Sequence, residues 1–277
     1  MTLRVGVTLG ALALCAWAQP PAPTYIPQTK FASGQDIVPS FDGWMKNADG
    51  SFTMVFGYMN RNYEEELAIP AGPENKLEPG AVDRGQPTFF LPRRHAWMFR
   101  VSVPADWGNK ELVWTITAHG RAEKAYGSLK SDEEISERLI RTRGNLNPGL
   151  DDPNQPPSIS IAPVEGARVE QLLALVARVT DDGLPKPRVP KARPTVEAGK
   201  SQTNSATGRP RIGLAVTWQQ YRGPAKAVFD SSGPIVVSAG QAEARVRFTA
   251  PGAYVLRATA NDGELSVSSD LAIEVKP

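Results

Sequence analysis

Three aspartates make the best case for chemistry in this chain. Asp181 and Asp182 stand together in "VTDDGLPKPR", where an apolar run ends, and Asp262 stands in "ANDGE" about 80 residues later. In an antiparallel sandwich the loop after the second strand and the loop before the last share one end, so the three carboxylates approach one another. With nearby backbone carbonyls they would offer calcium the oxygen ligands it takes, roughly six to eight. The same residues have a plainer use. An aspartate side chain bonds the backbone two residues on, and glycine supplies positive φ, so Asp182-Gly183 and Asp262-Gly263 are good turn formers. The residue types favour the turn, and Lys186 or Arg188 can neutralise the acids without a metal. No other cofactor is indicated.

Other reactive groupings are thin. Glu64, Glu65 and Glu66 are consecutive, and on a strand consecutive side chains point to opposite faces, so they form no catalytic pair. His95 and His119 are the only histidines, and neither lies in an H-E-x-x-H motif. No G-x-S-x-G elbow occurs. A hydrolase working with two carboxylates across a cleft stays open as an alternative to a binding role.

The binding candidates are aromatic and basic. Trp107 in the turn-like "PADWGN" and Trp44 beside "FDGW" are expected at the surface, where an indole can stack on a sugar ring. Trp97 and Trp114 fall on the apolar faces of alternating strands and are expected in a core. Residues 183–211 carry seven basic residues against the single acid Glu197, with five prolines. They read as a long loop. Lys186, Arg188, Lys191 and Arg193 lead it and are candidates for docking an acidic polymer. Overall, 31 Lys and Arg balance 29 Asp and Glu. Nothing in that balance suggests a nucleic-acid partner, which calls for a concentrated basic face.

These residues need a β framework to position them. "FTMVFGY", "AWMFRVSV" and "ELVWTITA" alternate or run apolar between turn signals, and so do "LLALVARV", "ARVRFTA" and "AYVLRATA". Asn261-Asp262-Gly263 marks a hairpin. "SDEEISERLIRT", 131–142, is the one expected helix, with Ser131 and Glu134 as a capping box. "NLNPGLDDPNQPP" follows as a Pro-rich linker. The expected fold class is all-β: two β-sandwiches, 36–130 and 158–277, joined by the helix and linker of 131–157.

The first residues point outward from the cell. Arg4, an apolar stretch and Ala16-Trp17-Ala18 form a secretory signal over 1–18, followed by an extended leader over 19–35. No later stretch is apolar enough to span a membrane. The only cysteine, Cys15, lies in the signal. The mature chain therefore has no cysteine and no disulfide; the alternative is that Leu12-Ala13-Leu14-Cys15 acts as a lipid-attachment signal and the chain is a lipid-anchored envelope subunit.

Two resemblances accompany this reading. "ARVTDDGLP", "VTWQQYRGP" and "APGAYVLRATANDGELSVSSD" resemble an extracellular immunoglobulin-like domain of the PKD type, although its usual Trp-Asp-Phe-Gly-Asp-Gly stretch is absent. That resemblance implies a sandwich with Trp218 in its core and Tyr254 at a tyrosine corner. It implies no particular function. "FGYMNRN", "IPAGPENKLEPGAVDRGQPTFFLPRR" and "LVWTITAHGR" resemble a β-domain of uncharacterised secreted bacterial proteins. Taken together, the sequence predicts an exported, non-catalytic binding or scaffold protein of the envelope or extracellular space, with a polysaccharide or another envelope protein as partner.

Overall fold

The computed structural model describes residues 30–145, 153–186 and 213–277. The signal, Cys15, the leader up to residue 29, and Arg188, Lys191 and Arg193 lie outside the described residues. The N-terminal sandwich runs through β1 (Ile37–Lys46), β2 (Phe52–Asn60), β3 (Leu67–Ala68), β4 (Asn75–Glu78), β5 (Phe89–Phe90), β6 (Arg93–Val103), β7 (Leu112–Ala118) and β8 (Arg121–Gly127). One sheet is ordered β1-β2-β6, a second β4-β7-β8, and β3 pairs with β5 in a short ladder. Phe56, Phe99 and Phe90 gather round the fully buried Trp114, whose indole N–H donates to Asn75 Oδ1 at 2.9 Å. A buried Trp usually finds a partner for its N–H, and Asn75 supplies one here from the neighbouring strand.

The C-terminal sandwich contains β9 (Ser158–Ile161), β10 (Leu173–Thr180), β11 (Ala215–Arg222), β12 (Ala227–Phe229), β13 (Ile235–Val236), β14 (Gln241–Phe248), β15 (Gly252–Asn261) and β16 (Ser266–Val275). Its sheets are ordered β12-β14-β10-β9 and β13-β11-β15-β16. That is the immunoglobulin arrangement, four strands facing a three-stranded sheet with one added edge strand. β14 shows the cause plainly: "QAEARVRF" buries every second residue, Ala242, Ala244, Val246 and Phe248. Trp218 is buried in this core, and the Tyr254 hydroxyl donates to Ala250 O at 2.9 Å, closing the tyrosine corner.

The connecting segment differs from the expected twelve-residue helix. Residues Ser131–Glu133 form a 3-10 turn, and α1 covers only Glu137–Arg141, capped by Ser136 through Leu139 N. Between them Ile135 N donates to Trp44 O at 2.8 Å, which draws the backbone into an extended bridge with β1. A backbone bond to a sheet edge outweighs the capping box proposed at Ser131. Gly43 permits this approach: with φ +124 and no Cβ, it lets Ile135 and Glu133 O lie where a side chain would collide at 2.6–2.7 Å.

Candidate functional site

A cleft of about 970 Å³ lies between the two sandwiches. One wall is the outer face of β11, β15 and β16. Strand alternation sends Trp218, Leu256 and Ala258 into the core and turns Thr217, Gln219, Tyr221, Arg257 and Thr259 outward. The opposite wall is β6, from Arg94 to Arg100, with Glu137 and Arg141 of α1 and Arg143 just past it.

The cleft exists because the sandwiches are clamped along its base. Tyr221 belongs to the apolar cluster of the N-terminal sandwich, although it stands on β11. Its hydroxyl donates to Gly85 O and its backbone carbonyl accepts from Thr88 N. Arg222 donates to Gln86 O at 2.8 Å and pairs with Asp83. Asp83 thus takes its partner from the other sandwich. Lys226 reaches Glu66 at 2.8 Å, and Ser266 Oγ donates to Arg141 O at 3.1 Å. Arg257 lies over the Tyr221 ring at 3.9 Å, forks onto Asp270 at 2.7 and 2.8 Å, and donates to Met98 O.

Burial pushes the Tyr221 hydroxyl up to about 12. An acid whose folded-state pKa exceeds its unfolded value supports the fold fully below the unfolded pKa, near 10, and that support is lost as pH rises through the folded one. Wild-type protein should therefore lose stability relative to Tyr221→Phe between pH 10 and about 12. Urea unfolding at stepped pH measures this; parallel profiles would show that the hydroxyl titrates freely.

The β6 wall is shaped by a device that spans three strands. β1 and β2 slip register at Asp42, and β2 and β6 slip between Phe56 and Tyr58, so that Ala96, Trp97 and Met98 bulge opposite Gly57. Asp42 reaches across β2 at Gly57, and its Oδ2 accepts from Trp97 N at 2.6 Å. Oδ1 accepts from Arg94 at 2.6 Å and from Ser40 Oγ at 3.0 Å. Trp97 is held at φ 53, a backbone state that a bulky residue rarely adopts. It is therefore half-buried against the cleft rather than in the core expected from alternation, while Phe99, Val101 and Val103 are buried as expected. An isolated glycine in an aromatic strand signals such a bulge; "FTMVFGY" contains that signal.

Charge in the cleft is unbalanced. Five guanidinium groups, of Arg94, Arg100, Arg141, Arg143 and Arg257, line it with two carboxylates, Glu137 and Asp270. Burial acts to raise the Glu137 carboxyl, but hydrogen bonds and charge from Arg100 and Arg141 outweigh it and hold it below the usual range. Asp270 is engaged by Arg257. Arg143, exposed at the end of α1, pairs with no acid among the described residues. His95, stacked on Tyr58, is held below the usual imidazole range by burial and by the charges of Arg143 and Arg94. Its Nε2 faces Pro92 O at 3.1 Å, which assigns the proton to that nitrogen.

The residues singled out by sequence fall elsewhere. Trp44 and Trp107 are corrected from surface to core: they are 8% and 7% exposed, with indole N–H groups donating to Lys130 O and Lys110 O. "FDGW" is a bulge within β1, so Trp44 continues the strand inward. In "PADWGN" the indole folds back over its own turn. Lys186 is exposed.

Asp181, Asp182 and Asp262 lie in the loops after β10 and β15. Burial raises the Asp181 carboxyl, and so do the charges of Asp262 and Asp182. Each aspartate does turn work: Asp181 Oδ2 accepts from Gly183 N, Asp182 Oδ1 from Leu184 N, and Asp262 Oδ1 from Glu264 N and Leu265 N. Asp182 Oδ2 turns to Gln155 N. Asp181 Oδ1 and Asp262 Oδ2 remain buried without a hydrogen-bond partner. Among the described residues no group of three or more His, Cys, Asp and Glu side chains is placed to hold a metal.

No family model and no curated protein matches the chain. Similar solved structures include the D00-D0 domain of intimin, with 10% identity over 87% of this chain and 100% of that one, TM-score 0.28. A chimeric titin Z1Z2-Z1Z2 tandem has 9% identity over 86% and 93%, TM-score 0.26. Likenesses this slight add nothing to the topology described above. Among the described residues no helix is long and apolar enough to cross a membrane.

Proposed function

We propose that the chain is an exported, non-catalytic binding or scaffold protein of the bacterial envelope or extracellular space, and that the cleft between its sandwiches is its contact surface. The observation that carries this reading is the state of the cleft's carboxylates. A glycosidase needs one carboxyl held protonated as general acid and a second free to act as base or nucleophile. Glu137 is held ionised by two arginines, and Asp270 is forked by a third. Both are committed to structure, and the surplus arginines suit recognition. The C-terminal sandwich is proposed as PKD-type, and the N-terminal one as the β-domain of secreted bacterial proteins that it resembles.

The test is capture by immobilised chain, residues 19–277, from envelope and polysaccharide fractions. Saturable uptake of one component is expected. Glycan cleavage that Glu137→Gln abolishes would replace the reading with a hydrolase.

Calcium is kept as a proposal at Asp181, Asp182 and Asp262, since Asp181 Oδ1 and Asp262 Oδ2 are buried without a hydrogen-bond partner. The sign follows from the raised Asp181 carboxyl: ionising it costs the folded state, so stability falls as pH rises above 3.8 toward the folded-state value. Asp181→Asn should therefore raise the melting temperature in chelator at pH 7, by roughly 1–3 °C, and should abolish any rise on adding calcium. A wild-type melting temperature indifferent to calcium would dismiss the metal.

A further inference from the structure

We propose that the cleft takes an acidic polysaccharide, one carrying carboxylate or sulfate groups, with an acid group at Arg143 and a sugar ring against Trp97. This rests on the reading of the cleft as the contact surface and adds the chemistry of what fills it. Three observations converge. First, the charge surplus has an outlet: Arg94, Arg100, Arg141 and Arg257 each have a carboxylate in reach, while Arg143 is exposed and has none among the described residues. A guanidinium offers a planar fork of donors that fits a carboxylate or sulfate.

Second, an aromatic face stands beside that charge. Gly144 follows Arg143, and a Cβ on it would lie 3.2 Å from the tip of the Trp97 ring. Trp97 is set there by its backbone. Asp42 holds its backbone at positive φ from two strands away, and strain of this kind persists only where surrounding structure enforces it.

Third, the facing wall presents hydroxyl and amide groups, Thr217, Gln219 and Thr259, with Ser268 bonded to Thr259 at 2.8 Å. Donor and acceptor groups of this kind match sugar hydroxyls. A sugar can use these polar groups and stack on Trp97 at the same time, which is why a glycan is the favoured occupant.

The experiment is equilibrium binding of residues 19–277 to polygalacturonate, dextran sulfate, neutral dextran and polyglutamate at two salt concentrations. Polygalacturonate or dextran sulfate should bind, and which of them binds more tightly distinguishes carboxylate from sulfate. Affinity should fall with salt, as expected for exposed charge. Arg143→Ala should weaken it about tenfold or more, the loss expected when one charged hydrogen-bonding pair is removed. Arg178→Ala, an exposed arginine on β10 in the other sheet, should leave it unchanged.

Equal loss in the two variants, or none in Arg143→Ala, would overturn the assignment to the cleft. Binding of polyglutamate but of neither acidic glycan would overturn the glycan. Capture of an envelope component that is not acidic would leave the binding role standing and remove this inference. No capture of any component would remove both.

Discussion

Gly57→Ala lowers the melting temperature by roughly 6–12 °C. The added Cβ would lie 2.4 Å from Asp42 Oδ2, 2.5 Å from His95 O and 2.9 Å from Ala96 Cα. Two of these neighbours are backbone of β6 and cannot swing aside. The third is the carboxylate that crosses β2 to hold Trp97. Overpacking a closely fitted site costs about 1–3 kcal/mol, and loss of charge-assisted bonds to a buried aspartate adds about 1.5–3 kcal/mol each. A total near 3 kcal/mol corresponds to the stated shift for a chain of this size. Gly233→Ala is the control, since a Cβ there meets nothing within 4 Å. Scanning calorimetry of the two variants decides the matter. If they melt alike, the three-strand clamp is not what holds the bulge. Ligand capture should fall with Gly57→Ala even below its melting point, because Trp97 and Arg94 both lose their anchor.

Tyr221→Ala uncouples the two sandwiches. The ring is 4% exposed, packed in the neighbouring sandwich's cluster and covered by Arg257. Truncating a buried aromatic to alanine costs about 3–5 kcal/mol. Here the loss falls on the junction rather than on either core. The variant's heat capacity trace should split into two transitions where wild type shows one, and small-angle scattering should show a larger radius of gyration. Tyr221→Phe keeps the ring and should cost only about 1 kcal/mol, the worth of one hydrogen bond, with a single transition retained. A single, merely lowered transition for Tyr221→Ala would mean that Arg222, Lys226 and Ser266 suffice to couple the halves.

What sequence could show depended on the range of the interaction involved. Alternation in "QAEARVRF" and the hairpin at Asn261-Asp262-Gly263 are local, and both are present as read. Trp218 and Tyr254 occupy their expected places because the strands around them leave no other. The helix of 131–142 was misjudged because a backbone bond from Ile135 to Trp44, far away in sequence, competes with local capping. Trp44 and Trp107 were misplaced for a related reason: turn-like residues beside them are part of a bulge in one case and a folded-back turn in the other. The cleft was not legible. Thr217, Gln219 and Arg257 alternate with core residues as any solvent face does, and nothing local says that another sandwich lies opposite. Nothing local marks Asp42, and only its reach across Gly57 shows its role.

The edges of the C-terminal sandwich bear on how copies of the chain behave when crowded. β13 has two residues and β12 three, so each sheet ends on a strand too short to template another. On the other side β9 lies against β16, so the long final strand is not an open rail. Exposed edges are where β-proteins stack into aggregates, and short or covered ones discourage it. Copies of this sandwich can in this way crowd together without their strands zipping into one another.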